Sequence, residues 1–231
     1  DLVLYLTGCP SIAKNGLQDL GNLVHRLEKL KELSLIINEF GKFQENNFMS
    51  LVHAIGERKD LACLNFIFYD CPHLTDNCLT ELGMIISQNN KQLDHLQLDF
   101  RNCPLLTNEG PNNIFSSLVT LSNLKSIILR MNENKNLQSL ASLARFFEGI
   151  KGQTRVTVDF SGCSQLHDKA FLEVCESFND HDQLEQLDIN LTNCGKISDK
   201  TLEALGNGFK YLSNLKVLIL AMDENKKITD S

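Results

Sequence analysis

The amino-acid sequence predicts an α/β fold assembled from stacked copies of one strand–turn–helix unit, and three observations predict it. Short runs of three apolar residues alternating with polar ones recur along the chain, as in Leu96, Leu98 and Phe100. That alternation is the period-2 signature of a strand with one buried face. Each run is followed at a constant distance by one anchor residue, at Cys9, Phe40, Cys71, Cys103, Asn134, Cys163, Cys194 and Asn225, in steps of 29 to 32 residues. After the anchor the apolar spacing changes to three and four, which is the spacing of a helix with one buried side. One such unit cannot bury both its strand face and its helix face alone, so the units must stack on one another.

The alternating runs place the strands. They are Leu2, Leu4, Leu6; Leu33, Leu35, Ile37; Leu64, Phe66, Phe68; and Leu96, Leu98, Phe100. The series continues with Ile127, Leu129, Met131; Val156, Val158, Phe160; Leu187, Ile189, Leu191; and Leu218, Leu220, Met222. Helical spacing is clearest at Leu137, Leu140, Leu143, Phe146, Phe147, Ile150 and at Leu202, Leu205, Phe209, Leu212, Leu215. Helices of three to four turns are expected there. The pairs Thr75-Asp76, Ser198-Asp199 and Thr229-Asp230 read as helix starts, since a side-chain oxygen there accepts from free amides of the first turn. Pro111 sits near another start, where its missing amide proton costs little.

The whole chain, residues 1–231, is therefore expected to be a single array of about eight repeats. A second period lies over the first. Residues 121–137, LSNLKSIILRMNENKNL, match 212–228, LSNLKVLILAMDENKKI, at 11 of 17 positions, 91 residues or three repeats apart. The anchors that are not cysteine, Phe40, Asn134 and Asn225, also fall in every third unit. Growth by blocks of three, together with a start inside a strand pattern and an end inside a repeat, leads us to expect a piece of a longer array.

Composition narrows the function. With 42% hydrophobic residues the chain can bury a large core, and no apolar run approaches the roughly 20 residues that span a bilayer. A net charge of −7, from 22 basic and 29 acidic residues, argues against binding a nucleic-acid backbone. Five of the eight cysteines hold the anchor position, so they are expected to be small buried core residues rather than disulfides or metal ligands, in a reducing, cytoplasmic setting. The six histidines share no repeat position, and no GxSxG, HExxH or phosphate-cradling glycine loop occurs. No catalytic residue, metal or cofactor is expected, and no small-molecule substrate.

These units resemble the leucine-rich repeat family, in its cysteine-containing, ribonuclease-inhibitor-like branch, whose pattern reads LxxLxLxxCxxITDxGLxxL. Leu61, Leu64, Phe66, Phe68, Cys71, Leu74, Thr75, Asp76 and Leu79 fit it with a strand extended by two residues. So do Leu184, Leu187, Ile189, Leu191, Cys194, Ile197, Ser198, Asp199 and Leu202. The resemblance covers essentially the whole chain, although repeats of about 31 residues are longer than that branch's. It implies a leucine-rich repeat solenoid, a curved horseshoe with a parallel β-sheet on the concave side and α-helices on the convex side.

In that architecture, function is read from the residues between the core positions. One row is Tyr5, Ile36, Ile67, Asp99, Arg130, Asp159, Asn190 and Ala221, flanked by rows containing Asp188 and containing Tyr69 and Arg101. Neighbours in a row lie about 4.8 Å apart. Asp99, Arg130 and Asp159 are thus expected to form a charge ladder in solvent. The partner-binding candidates are Tyr5, Ile36, Ile67 and Tyr69 at an apolar end, Asp99, Arg101 and Arg130 in the middle, and Asp159, Asp188 and Asn190 at an acidic end. Asp159 and Asp188 could sit within reach of each other, but an open sheet offers no dry pocket to separate their pKa values. The expected function is non-catalytic: a protein-interaction or scaffold module that uses the concave face and favours a basic partner, as a recognition arm or a brick of a large assembly. The alternatives are the substrate-recruiting segment of a larger enzyme chain, such as a ubiquitin-ligase adaptor or a kinase, and a regulator of a small GTPase.

Overall fold

The computed structural model describes residues 1–9, 15–39 and 43–229. The elements alternate along the chain as β1 (Leu2–Thr7), α1 (Gly16–Arg26), β2 (Glu32–Asn38), α2 (Glu45–Gly56), β3 (Cys63–Tyr69), α3 (Asp76–Asn89), β4 (His95–Asp99) and α4 (Glu109–Leu118). They continue as β5 (Ser126–Arg130), α5 (Ala141–Gly149), β6 (Arg155–Asp159), α6 (Asp168–Ser177), β7 (Gln186–Asn190), α7 (Asp199–Phe209) and β8 (Val217–Ala221). The strands form one sheet in sequence order, every neighbouring pair parallel. The fold is an α/β leucine-rich repeat solenoid. Parallel strands sit about 4.8 Å apart whereas packed helices need about 8–10 Å, so the stack curves with its sheet inside.

The register is the one the repeat spacing predicts. Leu33 pairs with Leu64, Leu64 with Leu96, Leu96 with Ile127 and Ile127 with Val156. Leu33, Leu64, Leu96, Leu98, Ile127 and Leu129 are fully buried against the helices. Truncating one such leucine to alanine typically costs about 2–5 kcal/mol. Helices α6 and α7 meet at Gly208, where a Cβ would stand 2.5 Å from the Cys175 carbonyl oxygen.

Both element types are shorter than the periodicity implies. Strands β4 to β8 end one residue before the third apolar position, so Phe100, Met131, Phe160 and Leu191 fill the core from the turn that follows. Leu137 and Leu140 precede α5 and Ile150 follows it, while Leu212 and Leu215 lie in the return after α7. All of these except the half-buried Leu215 are buried without being helical. Leu202, though in the predicted stripe, is 36% exposed.

The turn itself has a common device that apolar periodicity does not reveal. The residue before each anchor is left-handed in all eight repeats: Gly8, Glu39, Asp70, Asn102, Glu133, Gly162, Asn193 and Glu224, with φ between 49° and 72°. There the chain reverses, and the residue's amide bonds the next repeat, as in Asn102 N–H to the Asn132 carbonyl (3.0 Å) and Gly162 N–H to the Thr192 carbonyl (2.9 Å). Glycine, asparagine and aspartate tolerate this conformation, whereas glutamate at three of the eight positions carries strain of about 1 kcal/mol each.

The anchors then stitch each unit to the one before. The thiols of Cys103, Cys163 and Cys194 donate to the carbonyls of Phe68 (3.4 Å), Met131 (3.2 Å) and Phe160 (3.1 Å). Asn134 and Asn225 do the same through Nδ2, to the carbonyls of Phe100 and Leu191, each at 2.8 Å. Asparagine thus replaces cysteine in the same bond. Cys71, Cys103, Cys163 and Cys194 are buried as expected, while Cys9 of the first repeat is half-exposed. The anchor Phe40 lies outside the described residues, as does Asp230 of the expected Thr229-Asp230 start.

Thr75 and Ser198 cap their helices, accepting from the amides of Cys78 and Lys200. The aspartates beside them, and Asp168 at the start of α6, do something else. Asp76 accepts from the amide and hydroxyl of Thr107, Asp168 from those of Ser198, and Asp199 from those of Thr229. Each is a carboxylate clamp on the following repeat.

Candidate functional site

The face of the sheet turned away from the helices is uncovered along its length, and parallel register lines its side chains into rows. Tyr5, Ile36, Ile67 and Asp99 are successive partners, followed by Arg130, Asp159, Asn190 and Ala221. A second row runs Val3, Ser34, Asn65, Gln97, Ile128, Thr157, Asp188, Ile219.

At the first strands the face is apolar and aromatic. Tyr5 is 72% exposed, whereas Ile36, Ile67 and Tyr69 are half-buried by their strand neighbours. Tyr69 is held in place: its hydroxyl accepts from Asn38 Nδ2 (2.8 Å), and the Arg101 guanidinium lies 4.5 Å from its ring centre. That cation–π stacking fixes a flat aromatic surface.

The expected charge ladder is not what forms in the middle. Asp99 is 0% exposed, so it is a buried carboxylate rather than a solvated one. β4 ends at Asp99, and the turn curls Arg101 back onto it: Nε to Oδ1 is 2.9 Å and the second guanidinium nitrogen to Oδ2 is 2.9 Å. This two-pronged pair within one strand end displaces the cross-strand pairing, and Arg130 approaches Asp99 only to 3.9 Å. Burial pushes the Asp99 carboxyl up, against the opposing pull of Arg101 and then Arg130.

Asp159 is likewise engaged with its own strand end, accepting from the Ser161 amide (3.0 Å) and hydroxyl (2.7 Å). Asn190 Oδ1 accepts from the Thr192 amide (3.1 Å). Asp159, Asn190 and Asp99 therefore share one local task, closing the strand with a side-chain cap. Among the described residues, no ion pair joins Arg130 to Asp159. Asp188 differs, in that it makes no hydrogen bond with a described residue, and burial followed by the charge of Asp159 pushes its carboxyl up. The structure thus brings Tyr69, Asp99, Arg101 and Arg130 together, and Asp159 with Asp188. Tyr5 stands apart on the first strand.

Asn65 gathers a polar cluster on this face that apolar periodicity does not reveal. Asn65 Nδ2 donates to Ser34 Oγ (2.8 Å) and to Cys63 Sγ (3.7 Å), while Asn65 Oδ1 lies 3.0 Å from His95 Nε2. Cys63 and His95 are direct partners across β3 and β4. Strand register applied to the residue before each leucine would have found them. Burial, then Glu32 and Asp94, pushes the Cys63 thiol up, and burial lowers the His95 pKa. A protonated thiol beside a neutral imidazole is a poor nucleophile at neutral pH. Among the described residues no three His, Cys, Asp or Glu side chains converge as a metal site, and no helix is long and apolar enough to cross a membrane.

The chain matches no protein-family model and no curated protein. Among solved structures it is similar to the tropomodulin C-terminal domain of Caenorhabditis elegans, at 13% identity and a TM-score of 0.44, over 85% of this chain and 92% of that one. It is also similar to a chain in the yeast Rad7 and Elc1 complex, at 12% identity and a TM-score of 0.30, over 93% of this chain and 85% of that one.

Proposed function

We propose that this chain is a non-catalytic protein-binding module that presents the open face of its sheet to a protein partner. One observation carries the reading: a continuous uncovered face that runs from the exposed Tyr5, through Ile67 and the fixed ring of Tyr69, to the carboxylates of Asp159 and Asp188. Tyrosine and arginine anchors on a rigid surface are the residues from which protein contacts draw most of their energy. Arg101, stacked on Tyr69 and neutralised by Asp99, is ordered in advance and loses little freedom on binding. The unbonded, partly buried Asp188 favours a lysine or arginine on the partner, which would offset its desolvation. We read the units as belonging to the ribonuclease-inhibitor-like branch of leucine-rich repeats, in a single array, and place the chain in a reducing compartment. The anchor thiols support that setting, since they donate to backbone carbonyls only while reduced.

The test is affinity capture from the native cell with the wild-type chain and with a folded Asp159→Lys/Asp188→Lys variant. Proteins recovered by the first and lost by the second support a recognition site at the acidic end. Equal recovery by both sinks that site and leaves a brick of an assembly.

A further inference from the structure

From α2 to α5, and again from α6 to α7, side-chain hydrogen bonds tie each helix layer to the next at both ends. Between α2 and α3, Glu45 accepts from the Thr75 hydroxyl at the helix starts, and Asn90 donates to the Arg58 carbonyl (2.9 Å) at the far end. Between α3 and α4, Asp76 holds Thr107 and Asn123 donates to the Lys91 carbonyl (2.9 Å). Between α4 and α5, Asn108 accepts from the amides of Gln138 and Ser139, and Gln153 donates to the Leu124 carbonyl (3.2 Å). Between α6 and α7, Asp168 holds Ser198 and Asn214 donates to the Asp182 carbonyl (2.6 Å). The joint between α5 and α6 is built differently. Among the described residues, no hydrogen bond joins 134–153 to 163–184.

Asp76, Asn108, Ser139, Asp168 and Asp199 hold one repeat position, and all but Ser139 reach the following repeat. The short Ser139 side chain accepts instead from the Ala141 amide (3.3 Å). A cleft of about 440 Å³ lies there, with Gln138, Ser139 and Ala141 on one side and His167, Lys169 and Ala170 on the other. At the far end of the same joint the contact is aromatic. Phe147 of α5 lies against Phe178 with ring centres 5.1 Å apart, and His181 packs edge-on to both, at 6.1 and 5.5 Å. Lys151 and Asp180 add an ion pair at 3.5 Å, which contributes little in solvent. The sheet is unbroken here: β6 pairs with both β5 and β7, and the Cys163 thiol donates to the Met131 carbonyl (3.2 Å).

We propose that the chain hinges at this joint, α6 swinging away from α5 while the sheet stays paired, with His181 and its two phenylalanines as the latch. The hinge divides the open face: Tyr69, Arg101 and Arg130 lie on one arm, Asp159 and Asp188 on the other. Opening therefore changes how the two ends of that face are presented. Proton uptake releases the latch. A charged imidazole held between phenylalanines loses its hydration, and Lys151, just beyond α5, repels it. Asp180 and Asp182 in its own turn and the bond to the Ser177 backbone act the other way, and no charged side chain of α7 bears on it. The ring takes its proton near pH 6.5 when released and at about 4 when latched. The open-to-closed ratio should thus rise about 30-fold from about pH 7.5 to about pH 5.

Distances between spin labels, measured by double electron–electron resonance on the 231-residue chain, test this, with the half-exposed Cys9 and Cys63 replaced by serine. One pair spans the joint, at Ser116→Cys on α4 and Glu203→Cys on α7; a second lies within one arm, at Asn46→Cys on α2 and Ser116→Cys. All three positions are exposed. Lowering the pH should add a longer distance to the first pair and leave the second unchanged. His181→Leu, which copies Leu121 and Leu212 at the same repeat position, should abolish that response. Ser139→Asp, which supplies the missing clamp, should lower the open-to-closed ratio about tenfold. A first-pair distance that ignores pH overturns the proposal. So does lengthening of both pairs together, which is general loosening, or a response that survives His181→Leu.

Discussion

Asp76 and Thr107, one on the first turn of α3 and the other just ahead of α4, are joined twice: Oδ1 accepts the Thr107 amide at 2.9 Å and Oδ2 its hydroxyl at 2.6 Å. The clamp recurs at Asp168 with Ser198 and Asp199 with Thr229. Each clamp ties the first turn of one helix to the chain of the following repeat.

The strongest clamp should be Asp168, which also accepts the Thr201 hydroxyl at 2.7 Å. Burial pushes its carboxyl up, but the bonds from Thr201 and Ser198 outweigh this and hold the pKa below the ordinary value. A depressed folded-state pKa gives stability that is present above the unfolded value, near 3.8, and lost as pH falls through the folded one. Asp168→Ala should cost roughly 2 kcal/mol at neutral pH in urea unfolding, and its deficit should shrink in acid below that range.

His181 should give the chain a second acid-labile joint. It is 1% exposed and packed edge-on against Phe147 and Phe178. Burial lowers its pKa from 6.5 to about 4, with Lys151 adding to this and Asp180, a backbone hydrogen bond to Ser177 and Asp182 opposing. The unfolded chain then takes up a proton near pH 6.5 that the folded chain refuses until about 4. Stability is full above that window and falls across it, by up to about 3 kcal/mol. His181→Leu, matching Leu121 and Leu212 at the same repeat position, should flatten melting temperature between those two pH values.

The anchor position predicts its own substitutions. Asn134 donates to Phe100 and Met131 and accepts from the Cys103 amide (3.1 Å). Asn134→Cys should keep one donated bond, as at Cys103, and cost about 1 kcal/mol, whereas Asn134→Ala strands a buried amide and two carbonyls and should cost about 3 kcal/mol. Thermal unfolding of the two variants side by side reads the difference.

Asp99 depends on Arg101. Arg101→Met should remove about 3 kcal/mol at neutral pH, because a buried carboxylate loses its partner. The carboxyl pKa is already raised by burial and should rise further, so protonation on lowering the pH recovers part of the loss. A chemical-denaturation series from neutral pH down to about 4 checks the sign.

What the sequence made legible was the part set by periodicity. Leu33, Leu64, Leu96 and Ile127 stand in register because one spacing fixes both strand pairing and burial. The left-handed turns were not legible from apolar pattern, since Glu133, Gly162 and Asn193 share a backbone angle and no side-chain chemistry. The Asp99–Arg101 pair was hidden because row logic compares neighbouring strands, whereas the strand ends at Asp99 and folds its own Arg101 back. Thr75-Asp76 does start α3, but the reach of Asp76 to Thr107 was hidden because that partner lies in the next repeat.

The central claim is that the open face of the sheet, and not the helical side, meets the partner. Oxidative footprinting of the chain, alone and with the captured partner, tests it most directly. Labelling of Tyr5 and Tyr69 on the sheet face should fall on binding, while Met84 and Leu172, exposed on the helices, should label as before. Protection of Met84 and Leu172 with Tyr5 and Tyr69 unchanged would contradict it.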